Sequence, residues 1–122
     1  MTGYTILLID DDPLVLKSFQ KLLLHEGYQV IAASSYDEAL RSFASREFDL
    51  VLSDIRMPGK NGVETVEAIQ IQLAEAGKKE LPIIFITGYA EYSQQLKANF
   101  LGEILLKPVD NQKLLYTIRD YL

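Results

Sequence analysis

The sequence predicts an α/β protein in which a five-stranded parallel sheet carries helices on both faces, a doubly wound (βα)5 fold. Five short β-rich apolar runs alternate with segments long enough to be helices, and this alternation is typical of a parallel sheet. Several of the runs are almost continuous in Ile, Leu, Val and Phe, as expected for strands covered on both sides. A length of 122 residues fits one domain spanning residues 1–122.

The strands and the first helix follow from local patterns. We predict strands at residues 4–9, 29–33, 50–53, 82–87 and 104–106. The first, third and fourth runs are the most uniformly apolar, so we expect them in the middle of the sheet. The first helix should begin after Asp12, because Asp is a favoured N-cap and Pro13 suits the first helical turn, and it should end near Gly27.

Four more helices are predicted from caps or from apolar spacing. Ser35 and Glu38 form a capping-box pattern before the second helix. The third carries an apolar stripe at positions 63, 66, 69 and 73. Few apolar residues mark a fourth helix, which we expect within residues 90–100. Asp110 should cap the fifth helix, whose apolar positions are 114, 115, 118 and 122.

Composition excludes several kinds of function. The chain has no cysteine, so disulfides, thiolate metal sites and cysteine nucleophiles are ruled out. Its formal net charge of −5 disfavours direct contact with a nucleic-acid backbone, which clustered Lys and Arg would neutralise. The longest apolar runs are far shorter than a membrane span, and no basic-then-apolar leader opens the sequence. We therefore expect no membrane contact and a cytoplasmic location.

Charged and hydroxyl side chains stand where the predicted strands end. Asp10 and Asp11 follow the first strand and Asp54 follows the third, while Thr87 and Lys107 close the fourth and fifth. In open α/β sheets ligands bind at the carboxyl ends of the strands, and neighbouring strands lie about 4.8 Å apart. Carboxylates this close repel unless a hard cation such as Mg²⁺ lies among them. Each residue alone would fit ordinary turn chemistry, so the prediction depends on their convergence.

Four segments resemble the signature segments of a known family: ILLIDDDPLVLKSF, LVLSDIRMPGKNG, PIIFITGYA and LLKPV. In order and spacing they are similar to those of response-regulator receiver domains of two-component systems, of the chemotaxis-regulator kind. The resemblance covers nearly the whole chain. It implies a flavodoxin-like sheet with strand order 2-1-3-4-5. It also implies that a histidine kinase or a histidine phosphotransfer protein donates a phosphoryl group to Asp54 in a reaction that requires Mg²⁺.

The resemblance gives four residues roles in an acceptor and metal site. Asp54 matches the phosphoacceptor, whose carboxylate becomes an acyl phosphate. Asp11 matches a direct ligand of Mg²⁺, and Asp10 matches a partner that acts mainly through bound water. The backbone carbonyl of Arg56 matches a further ligand. This oxygen set suits Mg²⁺, which prefers octahedral coordination and keeps several waters.

The same resemblance describes the surroundings of the acceptor. Lys107 matches a lysine that pairs with the acceptor at rest and with the phosphoryl group afterwards, and its bond to Pro108 is expected to be cis. Three residues lie in the loop after the acceptor, and their types tolerate a positive φ, so we expect a sharp turn there. They are Gly59, Asn61 and Gly62.

Other residues would control the switch and its lifetime. Thr87 matches the switch hydroxyl, and Gly88 beside it would leave space for the phosphoryl group. The family usually has Tyr or Phe where this chain has Ile104, which puts the aromatic part of the switch in doubt. Tyr89 is a candidate to take over part of that role or to shield the acyl phosphate. Arg56 and Tyr89 stand at positions that commonly tune hydrolysis, and we expect both side chains to hinder the attacking water.

The phosphorylated domain is expected to act on an output partner, or on a second copy of itself, through its fourth helix, fifth strand and fifth helix. The candidate exposed residues of that surface are Tyr92, Gln95, Lys97, Lys113 and Arg119. On this interpretation the chain is a signalling domain rather than an enzyme, because it promotes only its own phosphorylation and dephosphorylation. It either works alone or is one domain of a longer protein.

Two alternatives remain open. Asp10 and Asp12 also form the D-x-D pattern of haloacid-dehalogenase-type phosphatases, although Pro13 and Leu14 stand where that pattern normally continues with Gly-Thr. The other alternative is a receiver that serves as a binding module without phosphorylation. It is disfavoured because no acidic, hydroxyl or lysine position of the site is lost. Asp12 itself we expect to act mainly as a helix cap.

Overall fold

The architecture agrees with the predicted doubly wound α/β fold. A computed structural model describes residues 3–88 and 98–122. Its strands are β1 Thr5–Ile9, β2 Gln29–Ala33, β3 Leu50–Ser53, β4 Ile83–Thr87 and β5 Glu103–Leu106. Its helices are α1 Pro13–His25, α2 Tyr36–Ser45, α3 Gly62–Glu75 and α4 Asn111–Tyr121.

The helix α4 corresponds to the fifth predicted helix. Residues 98–101 are helical as well, and the rest of the helix predicted within residues 90–100 lies outside the described residues. Four residues singled out from the sequence lie outside them too: Tyr89, Tyr92, Gln95 and Lys97. None of the helices in the described ranges has the length and apolar character needed to cross a bilayer.

The five strands are parallel and form one sheet in the order β2-β1-β3-β4-β5. This order confirms the flavodoxin-like topology. Every residue of β1, β3 and β4 is buried, so the prediction that these three runs are central strands is also confirmed. The register pairs Ile9 with Ser53 and Thr87 with Leu106. The carboxyl ends of β1, β3, β4 and β5 therefore meet at one edge of the sheet.

Side chains alternate between the two faces of the sheet and pack into two apolar layers. The layer beneath α1 and α4 includes Ile6, Leu8, Leu23, Leu52 and Ile118. The layer beneath α2 and α3 includes Leu7, Ile9, Val51, Ile69 and Phe85. Burial of one large apolar side chain contributes about 1.5–3 kcal/mol. The central strands are thus held on both faces, and the residues that follow them have fixed positions.

Helix caps at Asp12, Ser35 and Asp110 are confirmed, because each side chain accepts a hydrogen bond from a backbone N–H of the first turn. The capping box predicted at the second helix differs in one respect. The Glu38 carboxylate accepts hydrogen bonds from the backbone N–H (3.2 Å) and the hydroxyl (3.1 Å) of Ser34, the residue before the cap. The side chain therefore ties the end of β2 to α2.

The loop between β3 and α3 uses only one of the three residues that tolerate a positive φ. A positive φ occurs at Gly59 (74°) and not at Asn61 or Gly62, which have other roles. Asn61 is the N-cap of α3 and forms a reciprocal capping box with Glu64. Gly62 is needed for space, since a Cβ there would overlap the backbone oxygen of Asp54. The first turn of α3 thus rests directly on the backbone of Asp54.

Candidate functional site

Three aspartates lie together at the carboxyl edge of the sheet. Asp10 and Asp11 follow β1 and Asp54 follows β3, and one carboxylate oxygen of each lies within 4.8 Å of the others. The Asp54 N–H donates to the Ile9 carbonyl (2.9 Å), and the Asp10 N–H donates to the Ala33 carbonyl (3.1 Å). These bonds extend the strand pairing by one residue. Asp10 and Asp54 are therefore buried and fixed, whereas Asp11 is exposed.

Lys107 joins the aspartates from the strand beyond β4. Its Nζ lies 3.0 Å from Asp54 Oδ2 and 3.1 Å from Asp10 Oδ2, so one ammonium group bridges two carboxylates. The Lys107 N–H donates to the Thr87 carbonyl (2.9 Å), which continues the pairing of β4 with β5 as far as the lysine. The Lys107–Pro108 peptide bond is cis, as the resemblance implies.

Backbone N–H groups hold the remaining oxygens of the two buried carboxylates. Asp10 Oδ1 accepts from the Asp12 N–H (2.9 Å). Asp54 Oδ1 accepts from the Ile55 N–H (2.7 Å) and, at 3.4 Å, from the Arg56 N–H. Hydrogen bonds to an ionised acceptor are short and strong, so both carboxylates have a defined orientation. The Asp12 side chain instead caps α1, which confirms the prediction for that residue.

Burial and charge act in opposite directions on the ionisable groups of the site. Burial raises the pKa of Asp10 above its usual value, and the hydrogen bonds from Asp12 and Lys107 offset only part of the increase. Burial lowers the pKa of Lys107, but the hydrogen bonds and charges of Asp54 and Asp10 outweigh burial and leave that pKa raised. When all groups are ionised, three carboxylates face one ammonium group. The excess negative charge would favour a divalent cation.

The donor set fits a hard cation such as Mg²⁺. Mg²⁺ binds carboxylate and carbonyl oxygens and usually retains several waters. A cleft of about 440 Å³ adjoins the exposed aspartate and is open to solvent, and its lining residues are Asp11, Arg56, Met57 and Pro58. The cleft gives water access to the side of the cluster where Asp11 lies. The carboxylates and the solvent together therefore offer enough oxygen ligands for such an ion.

Two of the residues predicted to act as a switch, Thr87 and Gly88, lie beside Lys107. Thr87 is the buried last residue of β4, and its carbonyl accepts from Lys107. Among the described residues, a Cβ at Gly88 would meet the Lys107 Cβ at 3.8 Å, which is ordinary contact, so packing against these residues does not require a glycine. Ile104 is partly buried against the layer that contains Phe85, its register partner on β4.

Two features of the site escape prediction from the sequence. One is the contact of Lys107 with Asp10 in addition to Asp54. The other is an apolar groove of about 480 Å³ beside the lysine, lined by Leu14, Val15, Ser18, Phe19, Lys107 and Pro108. One sign of this groove is present in the sequence: Leu14, in the first turn of α1, is apolar but lies outside the apolar stripe of the helix. In the structure its exposed fraction is 77%.

This arrangement is that of a receiver domain: a parallel sheet of order 2-1-3-4-5, aspartates after β1 and β3, and a lysine after β5. The sequence profile of the response regulator receiver domain matches residues 6–119, and the chain belongs to that family. It is a receiver domain of two-component signalling. Receiver domains bind Mg²⁺ at an acidic cluster, and the described residues contain such a cluster. Receiver domains interact with histidine kinases and output domains.

Particular relatives include regulators and sensor kinases. The chain is 36% identical over 119 residues to the transcriptional regulatory protein GlrR of Escherichia coli K12, a match that covers 96% of this chain and 26% of GlrR. It is 33% identical over 111 residues to the sensor protein GacS of Pseudomonas syringae pv. syringae, covering 89% of this chain and 12% of GacS. The chain thus spans only a small part of the length of these relatives.

Solved structures agree with this assignment. The chemotaxis protein CheY4 of Vibrio cholerae is 28% identical and superimposes with a TM-score of 0.86, covering 98% of each chain. The response regulator TrrA of Thermotoga maritima, solved in complex with Mg²⁺–BeF, is 30% identical with a TM-score of 0.84. That match covers 98% of this chain and 99% of TrrA.

Proposed function

We propose that the chain accepts a phosphoryl group on Asp54 from a phosphohistidine of a histidine kinase or a histidine phosphotransfer protein. The observation that carries this proposal is the Lys107 ammonium group, which lies 3.0 Å from Asp54 Oδ2 and 3.1 Å from Asp10 Oδ2. In the transfer, an oxygen of Asp54 bonds to phosphorus while the bond from phosphorus to the histidine nitrogen breaks. The electron pair of that bond leaves with the nitrogen.

The carboxylates of Asp10, Asp11 and Asp54 and the backbone carbonyl of Arg56 would hold Mg²⁺. A bound ion would offset the negative charge of the transferring group. Asp10 is buried and already contacts Lys107, which supports an action through bound water, while the exposed Asp11 has room for direct coordination. The complex of the relative TrrA with Mg²⁺–BeF also supports this assignment.

After transfer, Lys107 and Thr87 would bind the new phosphoryl group. A hydrogen bond to a charged group is worth about 1.5–3 kcal/mol, so the two residues together could supply about 3–6 kcal/mol. Inverting a two-state population from about 1:99 to 99:1 takes about 5.5 kcal/mol. The phosphoryl group could therefore shift the conformation substantially, and the residues that we expect to take part in the change are Thr87, Gly88, Tyr89, Ile104 and Pro108.

The groove beside Lys107 is the surface we assign to the phosphodonor protein. It adjoins the lysine that contacts Asp54, and its exposed Leu14 and Pro108 offer apolar contact area. Burial of such area favours association by about 25 cal/mol per Å² before the costs of binding are subtracted. A partner seated there would bring its phosphohistidine to the edge of the sheet where Asp54 lies.

The output surface would comprise the helix ending at residue 101, β5 and α4. The apolar side chains of Leu106 and Tyr116 are 61% and 59% exposed. The guanidinium group of Arg119 lies 5.0 Å from the centre of the Tyr116 ring, and Lys113 is exposed on the same helix. An output domain or a second copy of the chain would bind here.

Three further statements belong to the proposal. Residues 1–122 form one receiver domain, either of a longer protein or acting alone. The domain promotes only its own phosphorylation and dephosphorylation. It works in the cytoplasm, without contact to a membrane or to nucleic acid. Matches to only a part of GlrR and GacS support the first statement, and the net charge of −5 supports the absence of nucleic-acid contact.

Phosphorylation with Mg²⁺ and acetyl phosphate, followed by intact mass spectrometry, tests the acceptor. We expect one labile phosphoryl group on the native chain and none on Asp54→Asn. Asp12→Asn is the matched control, because asparagine is an equally good cap, and it should react like the native chain.

The same experiment separates the alternatives. An adduct that persists in Asp54→Asn, maps to Asp10 and disappears in Asp12→Asn would favour the phosphatase type. Failure of the native chain to react with any of several small donors or phosphorylated histidine kinases would favour a binding module that needs no phosphorylation.

A further inference from the structure

A second cleft lies at the end of the molecule opposite Asp54. It has a volume of about 360 Å³ and is lined by the last residues of α2 and α3 and by the loops that follow them. Asp49 lines this cleft just before β3, and Asp54 follows the other end of that strand. The extended chain between them spans about 16 Å. The cleft is therefore separate from the acceptor site.

The floor of this cleft is apolar. Phe48 and Leu73 are buried there, and the Phe43 ring lies nearly parallel to that of Phe48, with ring centres 6.0 Å apart. Flat rings pack well in offset stacks. The volume is near the lower end of the range for small-molecule sites, about 300–1,000 Å³, so it suits one or two fused rings rather than a larger ligand.

The rim of the cleft carries more free positive than negative charge. Lys78 is paired with Glu47 at 3.0 Å, and the Asp49 carboxylate accepts a hydrogen bond from the Thr5 N–H (2.8 Å). Arg46 and Lys79 also line the rim, and within residues 3–88 and 98–122 neither has a carboxylate at ion-pair distance. Two cations against the single charge of Asp49 leave the rim positive.

We propose that this cleft binds a small organic anion, with a flat apolar ring on Phe48 and Leu73 and a carboxylate or similar group beside Arg46 and Lys79. The alternative is that the cleft binds an organic cation, because the carboxyl ends of α2 and α3 carry partial negative charge. The carbonyls at the end of α3 are already bonded, since the Lys78 N–H donates to the Leu73 carbonyl (2.8 Å). This bond weakens the attraction for a cation.

Three probes that share one ring system test the proposal by chemical-shift titration of the ¹⁵N-labelled chain. They are the anion 1-naphthoate, the neutral 1-naphthamide and the cation 1-naphthylmethylamine. Naphthoate should shift the amide signals of Phe48, Leu73 and Lys79. It should bind at least about twofold more tightly than naphthamide, since each of two exposed charge pairs is worth about a 1.4- to fivefold change. Of the three probes, only naphthoate should bind more weakly when salt is added.

Two variants of equal net charge complete the experiment. Arg46→Gln with Lys79→Gln should bind naphthoate and naphthamide equally. Lys17→Gln with Lys21→Gln, which changes two exposed lysines of α1, should behave like the native chain. Equal or tighter binding of the amide or the amine by the native chain overturns the proposal. Amide shifts that are confined to the groove at Leu14 would overturn it too. So would the absence of amide shifts at about 5 mM naphthoate, a concentration at which even a millimolar affinity would be detected. The salt series decides the matter if the first variant folds poorly.

Discussion

Replacement of Gly62 by alanine should destabilise the domain, because the added methyl group has no room. A Cβ at this position would overlap the backbone oxygen of Asp54 and lie 2.8 Å from the Ser53 Oγ. A backbone atom at the end of a buried strand cannot rotate away. Overpacking costs about 1–3 kcal/mol, and the greater helix propensity of alanine returns about 0.5–1 kcal/mol. The difference is about 0–2.5 kcal/mol, and because the overlapped atom is backbone we expect the upper part, a loss of about 1–2.5 kcal/mol and a fall in Tm of about 4–12 °C.

The same substitution should slow phosphorylation. To relieve the overlap, the start of α3 must move away from Asp54, and the hydrogen bond from the Gly62 N–H to the Ile55 carbonyl (2.7 Å) would lengthen. Displacement of a reacting group by about 1 Å can lower a rate about 100-fold. We therefore expect Gly62→Ala to react with acetyl phosphate at least about tenfold more slowly than the native chain.

Urea unfolding and timed mass spectrometry measure the two effects, and Gly77→Ala separates them. Gly77 lies just beyond the other end of α3 with a φ of 72°, and a Cβ added there would have no atom of the described residues within 4 Å. Alanine therefore costs about 1 kcal/mol through backbone strain. It should lower stability by a similar amount and leave the phosphorylation rate unchanged. A Gly62→Ala chain with native stability and a native rate would refute this reasoning.

Three other perturbations have expected outcomes. Lys107→Met should lower the free energy of unfolding by about 1–3 kcal/mol, less than the 3–5 kcal/mol of a fully buried ion pair, because the lysine side chain is 25% exposed; a native urea midpoint would contradict this. Mg²⁺ at about 100 times its Kd should stabilise the native chain by about 2.7 kcal/mol, and thermal unfolding should show that Asp11→Asn loses this gain while Asp37→Asn keeps it. Arg56→Asn with Tyr89→Glu should shorten the lifetime of the phosphorylated state after donor removal, and equal lifetimes would argue against the hindrance of water by these side chains.

The fold could be predicted because its signals are local. The apolar continuity of β1, β3 and β4 marks central strands wherever it occurs, and a cap such as Asp12 depends only on the residues beside it. The Asn-x-x-Glu pattern of Asn61 and Glu64 is equally local. This pattern is easily missed because the neighbouring glycines favour a turn, and Asn is common both in turns and as a helix cap.

Other features depend on contacts between distant parts of the chain. The strand ends predict that Lys107 lies near Asp54, but the direction of a long side chain and its second contact with Asp10 depend on the three-dimensional arrangement. The space requirement at Gly62 arises only once α3 packs against the end of β3. The sequence shows that Ile104 stands where the family usually has Tyr or Phe. It does not show that Ile104 packs beside Phe85.

The bridge formed by Lys107 has a mechanical consequence for the edge of the sheet. Within the part of the chain that the structure describes, β5 is an outer strand whose backbone pairs only with β4, and outer strands open more readily than central ones. Lys107 reaches past β4 and fastens the end of β5 to residues that follow β1 and β3. We therefore expect the fraying of this strand, measured by amide hydrogen exchange, to depend on the charge carried by Asp54. A change of charge beside the central strands should therefore alter how readily the outer strand opens.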